Sequence, residues 1–220
     1  MQGNSRQVIS KQRVAHRDLP RLVRRHLRSS WRRPLRSLNT AVCDALEGAL
    51  AAGRPLVLDS FCGTGHSTRL LAQQHPDCTV IGIDKSARRL SRHGESGGDN
   101  YRLLRAQCEE VWSWLAGREC RLRAHYLLYP NPWPKPGQLA RRVHGHPAFP
   151  LLLRLGGSLE MRCNWRIYAE EFGIALAMAG ELPVVSVLPV AEPLSLFERK
   201  YRESGHTLWR CRARVTRHAG

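Results

Sequence analysis

Two carboxylates and two glycines at fixed spacing form the first group in this sequence able to do chemistry. The stretch Leu56-Val57-Leu58-Asp59-Ser60-Phe61-Cys62-Gly63-Thr64-Gly65 reads as an apolar strand running into a tight turn, with a helix to follow. Glycines at 63 and 65 let the backbone approach a ligand closely and adopt conformations barred to other residues. Nineteen residues past Gly65, the strand beginning at Thr79 ends in Asp84, where an acid can bind both ribose hydroxyls of a nucleoside cofactor. A dinucleotide would share these features, but its full fingerprint needs a third glycine at position 68, which is Thr68 here. Its pyrophosphate would also be repelled by Asp59. S-adenosyl-L-methionine carries an ammonium and a sulfonium and no phosphate, so Asp59, Gly63, Gly65 and Asp84 point to that cofactor. Cys62 reads as a small filler in the turn.

A second group follows the apolar run His125-Tyr126-Leu127-Leu128. Tyr129-Pro130-Asn131-Pro132-Trp133-Pro134-Lys135 holds three prolines in seven residues, a rigid loop expected at the carboxyl edge of a sheet. Trp133 offers a ring for stacking on a base, and the Asn131 amide both donates and accepts, which suits a nucleobase edge. Lys135, Arg141 and Arg142 supply cations for phosphates, and His144 and His146 can extend that surface. With no acid or cysteine close by in sequence, these histidines are not read as metal ligands, and no metal site is expected.

The elements that must hold these groups alternate. Strands are expected at 56–60, 79–83, 101–105, 123–128, 158–163, 183–189 and 206–215. Helices are expected at 66–74, 86–93, 109–116, about 146–154 and 165–179. Strands separated by helix-length segments imply a parallel sheet with right-handed crossovers. The last two strands, with no helix expected between them, imply an antiparallel hairpin at one edge. The fold class is α/β and Rossmann-like, a doubly wound, mostly parallel seven-stranded sheet with an antiparallel terminal hairpin. Trp112 and Trp114 read as helix packing or solvent-shielding residues, and His206 as support for the last strand.

Residues 1–50 read as a basic, mostly helical arm, and 51–220 as the catalytic domain. Leu19, Leu22, Val23, His26 and Leu27 recur at helical steps with arginines between them, and Asn39 is a candidate cap for a helix through Leu50. The 220 residues carry a net charge of +17, and the first forty hold eleven basic residues against Asp18 alone. Charge of that sign and placement points to a polyanionic partner. No apolar run reaches the roughly 20 residues of a membrane span. Seven scattered cysteines without a C-x-x-C pair suggest reduced thiols in a cytosolic protein; the Arg-rich start also overlaps in character with a mitochondrial transit peptide. Nothing in the residues sets the oligomeric state.

The proline loop, followed by paired arginines, resembles the Pro-Asp-Pro-Trp-x-Lys signature of the bacterial tRNA (guanine-N7)-methyltransferase family. Further segments agree: Leu155-Gly156-Gly157-Ser158-Leu159-Glu160, Trp165 through Tyr168-Ala169-Glu170, Ser195-Leu196-Phe197-Glu198, and Gly205-His206-Thr207-Leu208-Trp209. The resemblance covers about residues 50–215 and, more loosely, the arm. It implies methyl transfer from S-adenosylmethionine to the variable-loop guanine of tRNA. It places Asp59 and Asp84 at cofactor-binding acids, and Gln107 near an acid that contacts the adenine. Asn131 stands in place of a catalytic aspartate, and Lys135 matches a substrate-contacting lysine. Asn164 replaces a second aspartate. Ser195, Phe197 and Glu198 match a substrate segment with Leu196 in place of its lysine; on residue type alone Glu198 reads equally as a solvated surface acid. Two other readings stay open. Asn-Pro-Trp also resembles the Asn-Pro-Pro-aromatic loop of methyltransferases acting on exocyclic amines, and the lost acids fit a paralogue that binds tRNA or another structured RNA without turnover.

Overall fold

The computed structural model describes residues 5–94 and 98–216, so the start of the expected 1–50 arm, and residues 95–97 and the end of the expected 51–220 domain, lie outside the described residues. Seven strands run β1 (Leu56–Ser60), β2 (Thr79–Asp84), β3 (Tyr101–Arg105), β4 (Leu122–Leu128), β5 (Gly157–Cys163), β6 (Val184–Val187) and β7 (Trp209–Val215). They form one sheet in the order β3-β2-β1-β4-β5-β7-β6. The first five pair in parallel, while β7 is antiparallel to both β5 and β6. All five residues of β1 are buried, as expected for a central parallel strand covered on both faces. The order reverses between β1 and β4, which places the ligand crevice at the carboxyl ends of those strands.

Helices α1 (Leu19–Leu27), α2 (Thr40–Ala51), α3 (His66–Gln74), α4 (Ala87–Leu90), α5 (Cys108–Gly117), α6 (Phe149–Leu155), α7 (Arg166–Met178) and α8 (Leu196–Glu203) flank the sheet. Asn39 caps α2 by accepting from the Val42 N–H at 3.0 Å. Three expectations differ. The helix foreseen over 86–93 is a single turn, α4. The one foreseen from 146 begins at Phe149, because Pro147 and Pro150 suit only an approach and a first turn; two short 3-10 turns, Pro136–Arg141 and Val143–Gly145, precede it. The third is α8, which lies between the two antiparallel strands. Its signal was the Ser-x-x-Glu spacing of a capping box: Ser195 Oγ accepts from the Glu198 N–H at 3.1 Å.

The basic N-terminal segment is docked onto the domain. Leu19 and Val23 of α1 are fully buried in the main core with α6 and α7, and His26 Nε2 lies 3.1 Å from the Gly145 carbonyl. Burial holds the His26 imidazole below its ordinary pKa, which keeps it neutral at that carbonyl. Two fully buried aliphatic side chains stabilise the docking by about 1.5–3 kcal/mol each. Arg21, Arg24, Arg25 and Arg28 stay exposed on the opposite face. Among the described residues no helix is long and apolar enough to cross a membrane, and no cluster of His, Cys, Asp or Glu is built to hold a metal. All seven cysteines are free thiols.

Candidate active site

The turn after β1 is shaped by left-handed backbone at Phe61 (φ 64°), Gly63 (φ 64°) and Gly65 (φ 78°). The left-handed backbone at Gly65 is what favours glycine there, and a Cβ would in addition meet the side-chain end of Leu103 at 2.5 Å. Asp84 ends β2 beside it, with Oδ2 accepting from the Gly63 N–H at 3.0 Å. Its Oδ1 accepts from the Ser86 N–H at 2.8 Å and pairs with the exposed Arg89 at 3.2 Å. Above these groups opens a cavity of about 510 Å³, whose lining includes Asp84, Gln107, Trp112, Asn131, Trp133 and Phe197. Neither Gly63 nor Gly65 is part of its lining.

Asp59 sits lower than its sequence position suggested. It is fully buried beneath the turn, outside the cavity lining, and its Oδ2 accepts from Ser67 Oγ (2.6 Å) and Thr68 Oγ1 (2.7 Å) of α3. Its Oδ1 has no hydrogen-bond partner. Burial pushes its carboxyl up from 3.8 to about 6, against the two hydroxyl bonds that pull it down. The neutral form is therefore the one the fold prefers: this stabilisation is complete below about pH 4 and is lost as pH rises through 6. Relative to the wild type, Asp59→Asn should gain several degrees in Tm between pH 4 and pH 7.5. Thermal melts at the two pH values check this, and a pH-independent difference would refute the buried-charge account.

Trp112 walls the cavity with its indole N–H donating to Ser60 Oγ at 2.9 Å, and that oxygen lies 2.8 Å from His125 Nε2. Burial lowers His125 to about 3, so it stays neutral. Trp114, packed under the Arg118 guanidinium, faces away from the cavity. Cys62 is buried and its thiol is pushed up by burial, consistent with an unreactive filler.

The proline loop forms the opposite wall. Tyr129 (φ 55°) and Trp133 (φ 46°) hold left-handed backbone that costs of order 1–3 kcal/mol each and needs surrounding contacts to persist. Those contacts are specific. Tyr129 Oη donates to Glu198 Oε1 at 3.0 Å, and Arg142 Nε donates to the Trp133 carbonyl at 3.2 Å. Asn131 is exposed at the cavity rim, and the Arg141 guanidinium lies 4.9 Å over the Trp133 ring.

Four expected contacts fall elsewhere. Arg142, read as a phosphate cation, is fully buried: it pairs with Glu171, donates to Gln12 Oε1 at 2.9 Å and stacks over Trp165. His144, also read as surface, is buried with Nε2 3.1 Å from Glu171. Burial alone would raise the Glu171 carboxyl, but the hydrogen bond and charge of His144 and the charge of Arg142 outweigh it and hold it near 2. Glu198 is neither solvated nor open to a substrate: it is fully buried, paired with Arg162 at 3.0 Å and accepting from the Leu194 N–H at 2.6 Å. Ser195, the buried cap of α8, is likewise withdrawn from the cavity.

Asn164 sits beside His206, its Nδ2 3.1 Å from the ring Nδ1, off the cavity lining. Lys135 stays exposed at the start of the first 3-10 turn, also off the lining. Phe197, 45% exposed, enters the lining with Tyr201, its stacked neighbour (ring centroids 6.0 Å apart) one helical turn on. Tyr201 in turn stacks on His206 at 5.2 Å. Sequence reading passed over Tyr201 because α8 was not foreseen, so its i, i+4 relation to Phe197 was not visible. It also passed over Gln12 and Glu171, which no local pattern connects.

A carboxylate closing β2 over a glycine turn, in a sheet with this strand order, defines the class I, Rossmann-like methyltransferases, whose methyl donor is S-adenosylmethionine. Solved structures share the fold: a 16S rRNA (adenine(1408)-N(1))-methyltransferase of Catenulisporales acidiphilia aligns with TM-score 0.57 at 20% identity, over 80% of this chain and 93% of that one. An antibiotic-related methyltransferase aligns with TM-score 0.58 at 14% identity, over 86% and 98% of the two chains. Residues 53–211 match the family model described as "Putative methyltransferase". A tRNA (guanine-N(7)-)-methyltransferase of Leifsonia xyli subsp. xyli is 30% identical over 183 residues, 76% of this chain and 77% of the relative. One of Thiobacillus denitrificans is 26% identical over 175 residues, 74% and 77% of the two chains. The chain belongs to the tRNA (guanine-N7)-methyltransferase family.

Proposed function

We propose that this protein methylates N7 of a guanine in tRNA, with the variable-loop guanine as the target its family membership implies. What carries the reading is one cavity lined by two sets of groups: Asp84 and Gln107 on the donor side, and Asn131, Trp133 and Phe197 on the base side. The donor fits the residues present. Asp84 offers a carboxylate to the ribose hydroxyls, Gln107 an amide to the adenine edge, and the turn that needs Gly65 brings the backbone close. Asp59 lies beneath the turn and outside the cavity, so it takes no part in that fit. When bound, S-adenosylmethionine supplies an electrophilic methyl carbon on a sulfonium.

The chain's own part is to position the base. Guanine N7 carries a free lone pair, so no general base is needed and alignment carries the rate. Trp133, backed by Arg141, and Phe197, backed by Tyr201, give two aromatic faces for the purine. The Asn131 amide orients its edge, without the charge stabilisation that an aspartate would add. The exposed arginines of α1, with Lys135 and Arg141, supply cations for the phosphates. With seven free thiols, the reaction is assigned to the reducing cytosol.

The test is turnover on unmodified tRNA followed by mass spectrometry of the nucleosides. 7-Methylguanosine is expected; a base methylated on an exocyclic amine, or RNA and donor binding without any product, overturns the assignment. Asn131→Ala should lower kcat by about 10–100-fold, the scale of losing base alignment, with the donor Kd unchanged. A kcat within twofold of wild type would remove Asn131 from the site.

A further inference from the structure

A second concavity of about 430 Å³ lies on the far side of the glycine turn, lined by Thr64, His66, Arg69, Arg92, His93 and Leu196 among others. Among the described residues no acid contributes to this lining and no carboxylate pairs with Arg69 or Arg92. His66 and Arg69 stand three residues apart, on one face of α3 at its amino end, where helix N–H groups add a partial positive charge. His93 is fixed as part of the wall: Nδ1 meets the Thr64 carbonyl at 2.9 Å and Nε2 the Tyr101 hydroxyl at 2.8 Å. The His66 imidazole is held below its ordinary pKa chiefly by burial, and the neighbouring Arg69, Arg199 and His93 add to that direction. Left alone, unpaired cations around a concavity repel one another; an anion relieves that repulsion.

The position of α8 ties this cleft to the active site. Leu196 lines the basic cleft and the next residue, Phe197, lines the donor cavity, so the first turn of α8 separates the two. Both side chains are near half exposed, at 44% and 45%. A polynucleotide whose base enters past Phe197 meets the cleft as its backbone leaves over Leu196. We propose that this cleft is a phosphodiester subsite for the RNA strand flanking the target nucleotide, with Arg69 and Arg92 as its cations and His66 as a further donor. The proposal rests on the reading of the chain as an RNA methyltransferase.

The test compares the double variant Arg69→Gln/Arg92→Gln, and Arg92→Gln alone, with wild type on unmodified tRNA. Each lost single-strand phosphate contact should lower the slope of log K against log salt by about 0.7. The double variant is therefore expected to lose roughly 1–1.5 from the slope and to raise the KM for tRNA about tenfold, with the donor Kd unchanged. The control Arg121→Gln/Arg123→Gln removes the same charge at the amino end of β4, opposite the ligand edge, and should leave the slope within error of wild type. An unchanged slope in the double variant, or an equal drop in the control, overturns the subsite while leaving the methyltransferase reading intact. Failure of wild-type protein to bind tRNA at all overturns both.

Discussion

Arg142→Ala is expected to lower Tm by on the order of 10 °C and to abolish turnover. The guanidinium is fully buried and serves Glu171, Gln12 and the Trp133 carbonyl together. Removing it takes the guanidinium from the buried Glu171 carboxylate, leaving the donors Gln12 and the His16 N–H, and breaking one half of a buried pair costs about 3–5 kcal/mol. For a chain of this length each kcal/mol shifts Tm by about 2–4 °C. The effect on activity has a separate cause. Trp133 holds a left-handed backbone at the cavity wall, and Arg142 supplies the side-chain donor at its carbonyl. The double change Arg142→Met/Glu171→Met separates the two effects. Replacing both charges with apolar groups should recover most of the Tm, while kcat stays low because the loop anchor is still missing. A double variant that regains both would mean that Arg142 acts only through stability; a single variant melting within 2 °C of wild type would deny the buried pair its role altogether.

Asp84→Ala should weaken S-adenosylmethionine binding by about 100-fold while tRNA binding changes by less than threefold. Two hydrogen bonds from ribose hydroxyls to a carboxylate, at roughly 1.5 kcal/mol each, set that scale. Asp84 is 2% exposed at the cavity wall and is oriented by the Gly63 and Ser86 N–H groups, so the geometry is prepaid in the fold. Calorimetric titration of the donor, alongside tRNA binding at fixed salt, measures both sides. Equal losses of donor and tRNA binding would show a disturbed fold and not a lost contact, and a donor Kd within threefold of wild type would end the ribose assignment.

The parts of this site that were legible as sequence are those set by neighbours along the chain. A β-strand running into Gly63 and Gly65, a second strand ending in Asp84, and three prolines around Asn131 and Trp133 each declare themselves within about ten residues, because strand ends and turns depend on local backbone preferences. The parallel core followed by an antiparallel edge was legible for the same reason, apart from α8, whose short, charged helix is marked mainly by the cap at Ser195.

Arg141 and Arg142 mark where local reading stops. They are adjacent and of one residue type, yet one lies exposed over Trp133 and the other is sealed against Glu171. Glu198, with the outline of a surface acid, became the interior partner of Arg162 and Tyr129. Gln12 reaches Glu171 across 159 residues of chain at 2.6 Å, and no spacing rule connects them. Residue type and local spacing were enough to place the glycine turn after β1 and Asp84 at the end of β2. Which charges face the ligand and which hold the loop depended on the packing of α1, α7 and the proline loop against one another, since burial and charge pairing are set by neighbours in space.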